Sequence, residues 1–289
     1  MPLWIQIIVV WLALSAFSLN PLLVPRDEII SGGPGKDGIP ALTNPKHEPV
    51  YAGNLWLDDD DLVIGISIGK EARAYPIRIL NWHEVVNDHI GKHTFIITYC
   101  PLCGSGLAFD SKDHFGVSGL LYQSDMLLYD KQTESLWSQL KQQSIAGKRA
   151  GEKLIKLPIA HTTWKAWKAQ HPNTWVLSRH TGFYRNYNRN PYEGYALTSR
   201  IYFPVNHNDH RLAPKTWVIG LNLNGKYKAW EMDALRQQGT HTEIWQNHPI
   251  LIKVNGDTIS MIDAKTNLVL PTIRLYWFAW VNFHPDTEL

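Results

Sequence analysis

Val63-Ile64-Gly65-Ile66-Ser67-Ile68, then Gly69-Lys70-Glu71, then Ala72-Arg73-Ala74-Tyr75, reads as two short strands joined by a glycine-containing turn. The chain repeats this reading further on. When it slides along itself so that Val63 meets Val218, Val63-Ile64-Gly65-Ile66-Ser67-Ile68 faces Val218-Ile219-Gly220-Leu221-Asn222-Leu223. In the same register Arg73-Ala74-Tyr75 meets Lys228-Ala229-Trp230, Leu80 meets Leu235, His93 meets His248 and Ile97 meets Ile252. Strand, turn and strand agree without a gap. That predicts two related β-rich lobes, about 50–140 and about 212–289, packed as one unit and joined by a linking segment, roughly 141–211.

Outward from the hairpin the signals stay short. Thr94-Phe95-Ile96-Ile97-Thr98-Tyr99 and Leu107-Ala108-Phe109 read as further strands. The best helical stretch is Thr162 to Gln170, with Thr162 as cap, Trp164, Trp167 and Lys168 on one face, and His171-Pro172 as the stop. Tyr276-Trp277-Phe278-Ala279-Trp280 fits a core strand or a helix. The expected class is mostly β, an α+β chain with few helices. A Gly/Pro-rich arm, roughly 19–50, precedes one β-rich domain, about 51–289. Its Gly32-Gly33-Pro34-Gly35 is no phosphate loop, since no Lys-Ser/Thr follows. Asp58 to Asp61 reads as a solvated turn.

Composition narrows the function without naming it. The 289 residues carry 28 basic and 26 acidic side chains, a net charge of +2. Nucleic-acid binders show a stronger and more clustered basic excess, so that class is excluded. Only two cysteines are present, too few for a disulfide scaffold or a four-cysteine metal site within one chain. The apolar run from Trp4 to Leu19 is shorter than the ~20 residues that span a bilayer. It reads as a signal peptide over residues 1–18, cut after Ser18, or as an uncleaved anchor, although no Lys or Arg precedes it. The expectation is a periplasmic or extracellular protein that meets the membrane only through this segment. Its thiols would face an oxidising compartment.

The chemistry is expected around Tyr99-Cys100-Pro101-Leu102-Cys103-Gly104-Ser105. Three readings stand. In a metal knuckle the turn sets both sulfurs on one side, and His or a carboxylate completes the site. A redox pair is opposed by the Gly-Ser-Gly that follows, where a helix start would lower the thiol pKa. A structural disulfide would close a very small loop and stabilise little. His83, in Trp82-His83-Glu84-Val85-Val86-Asn87-Asp88, precedes the strand that delivers Cys100 and is the third ligand expected, with Asp88 or His114 as the fourth. If that stretch is helical, His83 and Asn87 share a face. Copper or zinc suits two thiolates. Glu84, Asn87, Ser118, Asp130, Trp137 and Gln139 are candidates for a polar network around the site. Ser118 does not sit in a Gly-x-Ser-x-Gly elbow, so a serine hydrolase is set aside.

Those blocks resemble the bacterial and archaeal domain-of-unknown-function family 3179. So do Asp37-Gly38-Ile39-Pro40, Arg73-Ala74-Tyr75-Pro76, Phe115-Gly116-Val117-Ser118-Gly119-Leu120, Ser135-Leu136-Trp137-Ser138-Gln139 and Phe283-His284-Pro285. The resemblance implies no activity. Two functions stay open. One is a metal-binding or thiol-redox protein centred on the two cysteines. The other is a non-enzymatic exported binding protein with a structural disulfide, whose Tyr/Arg loops contact a small molecule or a protein.

Overall fold

The strand-forming runs recur every few residues and are separated by positive-φ turns. A computed structural model describes Phe17 and residues 19–289. Trp4–Ala16 and Ser18, which carry the expected export signal, lie outside the described residues. The rest is 41% strand and 14% helix. Five sheets are arranged as a five-bladed β-propeller, not as the two lobes expected.

In spatial order, the first sheet holds Ile29–Ser31, Phe115–Tyr122, Asp125–Asp130, Leu136–Ser138 and Gln143–Ala146. The second holds Ile155–Leu157, Ser105–Asp110, His93–Cys100, Val85–Ile90 and Leu42–Thr43. The third holds Ala160–Thr163, Leu62–Ile68, Glu71–Pro76, Trp175–Leu177 and His47–Pro49. Two three-stranded sheets follow: Lys226–Glu231, Trp217–Leu223 and Ile273–Tyr276 in one, His241–Trp245, His248–Asn255 and Thr258–Asp263 in the other. The Gly/Pro-rich arm adds one strand to each of the first three sheets. Its glycines and prolines are the corners between these short strands.

What does recur is a smaller unit. Gly65 pairs with Ala74 in one hairpin and Gly220 with Ala229 in the other. A seven-residue helix follows each, Ile77–His83 and Met232–Gln238. A returning strand then pairs with the first one, Ala160 against Gly65 and Ile273 against Gly220. It leads into a second helix, Trp164–Gln170 or Trp277–Phe283. Residues about 160–177 therefore complete the third sheet and do not simply link two lobes. The cap of that helix is Thr163, whose hydroxyl accepts the Ala166 N–H, and not Thr162.

The two second helices carry the same anchor. The Trp167 indole donates to Thr174 Oγ1 at 2.9 Å, and the Trp280 indole to Thr287 Oγ1 at 2.8 Å. His171 packs at a tilt against Trp167 and His284 against Trp280, with centroids 4.0 and 4.2 Å apart. His284 also lies against Tyr227 at 4.0 Å. Burial pushes the His284 pKa down to about 4, with Lys141 and Lys156 adding repulsion. In the unfolded chain the value is near the usual ~6.5. The unfolded state therefore takes up the proton first. The stabilising contribution is complete above about pH 6.5 and is lost as pH falls from there towards 4. Up to about 3 kcal/mol of stability should disappear across that window. A His284→Phe protein should show a correspondingly flatter melting temperature between pH 7 and pH 5. An unchanged slope would rule the histidine out as the cause.

Candidate metal centre

Cys100 ends the strand His93–Cys100 and pairs with Ser105, so Pro101 to Gly104 form the hairpin turn between them. Gly104 has φ +65°, and a Cβ there would lie 2.5 Å from the Trp217 ring. Both the left-handed backbone and the close approach demand glycine. The turn places both sulfurs in the interior, with Cys100 1% and Cys103 0% exposed. Both are free thiols.

The third member comes from the first sheet. Tyr122 pairs with Asp125 across a two-residue turn in which Gln123 and Ser124 both have positive φ, 52° and 62°. Non-glycine residues hold such a turn only when it is tied down. Here the Gln123 amide donates to Glu28 Oε2 at 2.7 Å and its carbonyl accepts from Asn206 N–H at 2.8 Å. The Ser124 hydroxyl donates to Phe203 O at 2.7 Å. The Cys103 thiol donates to Ser124 O at 3.5 Å. Asp125, fully buried, is thereby delivered to the thiols. One sulfur from each cysteine and one Asp125 oxygen all lie within 4.8 Å of one another. Ligands held ~2.3 Å from one ion stand ~3.8 Å apart, so a small closure would bring the three onto a metal.

Hydrogen bonding leaves this cluster open. Asp125 Oδ2 accepts the Leu140 N–H at 3.0 Å, whereas Oδ1 is buried without a well-formed hydrogen bond, its carboxyl interacting with the two thiols and the Ser138 hydroxyl around it. Burial pushes the Asp125 carboxyl up to about 7 and raises both thiols. Glu84 is close enough for its charge to raise Cys100 further. Burial pushes Glu84 itself up to about 8, and Tyr192 donates to its Oε1 at 3.2 Å. Glu84 sits at φ +56° as the cap of the Ile77–His83 helix, an unusual backbone for a buried acid. At neutral pH both thiols and Glu84 are thus held mainly protonated, and Asp125 sits near its midpoint. A metal ion would displace those protons.

The expected histidine is elsewhere engaged. His83 Nδ1 donates to Pro40 O, and Nε2 accepts from the Tyr187 hydroxyl, both at 2.7 Å. Both ring nitrogens are used, and His83 stands outside the Cys100–Cys103–Asp125 cluster. Its helix ends at residue 83 and Asn87 lies on the strand Val85–Ile90, so the shared helical face does not form. Asp88 belongs to a different cluster. It accepts from Arg73 at 2.9 Å and from Tyr75 at 2.6 Å, and His47 lies 3.1 Å away. Burial raises its pKa, but these partners outweigh burial and hold it below the usual carboxylate range. His114 is exposed in the loop before Phe115.

The proposed network divides in the same way. Gln139 supports the cysteine hairpin: it accepts from Ser105 Oγ at 2.7 Å and donates to Thr98 Oγ1 at 2.9 Å. The next residue, Leu140, supplies the N–H that holds Asp125. Asn87 clamps Leu42 O and both backbone groups of Phe115. Asp130 closes the Asp130–Ser135 turn by accepting from Thr133 and from the Trp137 indole at 2.9 Å. The Ser118 hydroxyl donates to Leu127 O. These three positions and Trp137 are framework. Asp125 was not singled out from the sequence, where only an acid opening the apolar run Met126-Leu127-Leu128 hinted at it.

No curated protein and no solved structure matches the chain. A family model described as "Protein of unknown function (DUF3179)" matches residues 36–269. Over most of its length, then, the chain belongs to the DUF3179 family.

Proposed function

We propose that this is an exported protein that binds copper or zinc at Cys100, Cys103 and Asp125. The observation that carries the reading is the buried Asp125 Oδ1, without a well-formed hydrogen bond, beside two buried free thiols. A buried acceptor without a partner is costly, and a cation removes that cost. Soft thiolates select copper and zinc over hard divalent ions. Glu84 is the candidate for the fourth position. Thiol-redox catalysis is less well supported, because an attacking thiol is a lowered-pKa, accessible one, and these are raised and enclosed. Export is supported by the apolar run at residues 4–19.

Thiol titration of the purified protein tests the centre. Two thiols should react only after unfolding in the presence of a chelator, with one equivalent of metal released. Thiols that appear only after reduction would instead establish a disulfide and retire the metal. Cell fractionation tests export independently.

A further inference from the structure

A cavity of about 520 Å³ lies where four of the five sheets meet. Its walls are largely apolar, with Trp167, Ile219, Met232, Met261 and Leu270 among them. That volume is ordinary for a small-molecule site. Two polar residues on its wall lack ordinary partners. Arg274 lies over the Trp217 ring at 4.6 Å, and its Nη1 reaches His161 O only at 3.4 Å. Its Nε is buried with no hydrogen-bond partner. Both ring nitrogens of His161 are likewise buried and unpartnered. The acid on the same wall, Asp257, pairs with Arg236 at 3.3 Å instead. Burial lowers the Arg274 pKa to about 10 and keeps His161 neutral.

A buried guanidinium without a counter-charge is strongly unfavourable, and its natural complement is a planar anion gripped by the fork. Lys253 also lines the cavity but is exposed, so Arg274 is the enclosed cation, and beside a neutral imidazole it matches a single negative charge. The apolar walls match a hydrocarbon body. We propose that this cavity binds the carboxylate of a small organic acid, with Arg274 and His161 holding the carboxyl group and Trp167, Met232 and Met261 covering its apolar part. None of Cys100, Cys103 and Asp125 lines this cavity, so the assignment does not depend on a metal there.

Calorimetry on the full chain at pH 7, with benzoate, hexanoate, their amides and inorganic phosphate, tests this. At least one carboxylate should bind, and its amide at least ~10-fold more weakly. Arg274→Gln should weaken that carboxylate by at least ~10-fold, with Arg274→Lys intermediate because the fork is lost but the charge kept. If Arg274→Gln fails to fold, the carboxylate–amide comparison on the wild type and a His161→Gln protein decide. Failure of both carboxylates to bind, equal binding of the amide, undiminished binding by a folded Arg274→Gln, or binding of phosphate alone would each overturn the assignment.

Discussion

Protein carrying Cys103→Ser should lose stoichiometric copper or zinc, with affinity reduced at least ~100-fold. Changes one shell beyond a metal already cost ~10–100-fold, so loss of a coordinating sulfur sets that as a floor. The exchange is close to isosteric, and the Ser124 carbonyl that receives the thiol can receive a hydroxyl. Asp125→Asn is the second variant. Burial pushes the Asp125 carboxyl up to about 7, so a neutral amide resembles its protonated, metal-free form, and the apo fold should survive while metal binding weakens. The thermal readout is large. A ligand present at ~1,000 times its dissociation constant adds about 4 kcal/mol to the wild type. Cys103→Ser should show almost none of that gain. Equal metal-dependent melting shifts in wild type and Cys103→Ser would remove the cysteine centre as the binding site.

Gly65→Ala and Gly220→Ala should each destabilise the fold by about 3 kcal/mol, at the upper end for overpacking. A Cβ at Gly65 would stand 2.3 Å from the Trp167 ring, and one at Gly220 would stand 2.2 Å from the Trp280 ring. Neither indole can swing away cheaply, because each is tethered to a threonine and packed against a histidine. Urea unfolding measures the loss. Adding Trp280→Leu to Gly220→Ala should cost at least ~1 kcal/mol less than the two changes summed, since the smaller side chain vacates the space the methyl needs. Strict additivity would show that the indole is not what the methyl strikes.

Local pattern determined a good deal of this protein. The hairpins at 62–76 and 217–231, the short strands after them, the helix stop at His171-Pro172 and the cysteine turn with its obligatory glycine are all set by residues a few positions apart. Periodicity, β-branching and turn chemistry act over such distances, so they leave a mark in the sequence. The repeat was legible for the same reason in its first strands. Its second half was not, because the Trp164–Gln170 and Trp277–Phe283 helices follow their hairpins after insertions of different length.

Tertiary structure alone decided which groups meet. Asp125 reaches Cys103 through a strained turn held by Glu28, Asn206 and Phe203, none of them near it in sequence. His83, the neighbour that sequence favoured as a ligand, is withdrawn by Pro40 and Tyr187. Arg274 and His161 come together only when the returning strands of two hairpins line one cavity. A contact between residues 21 to 113 positions apart has no local energetic signature. It exists because burying the apolar faces of five sheets leaves these side chains in one place, and burial then sets their protonation.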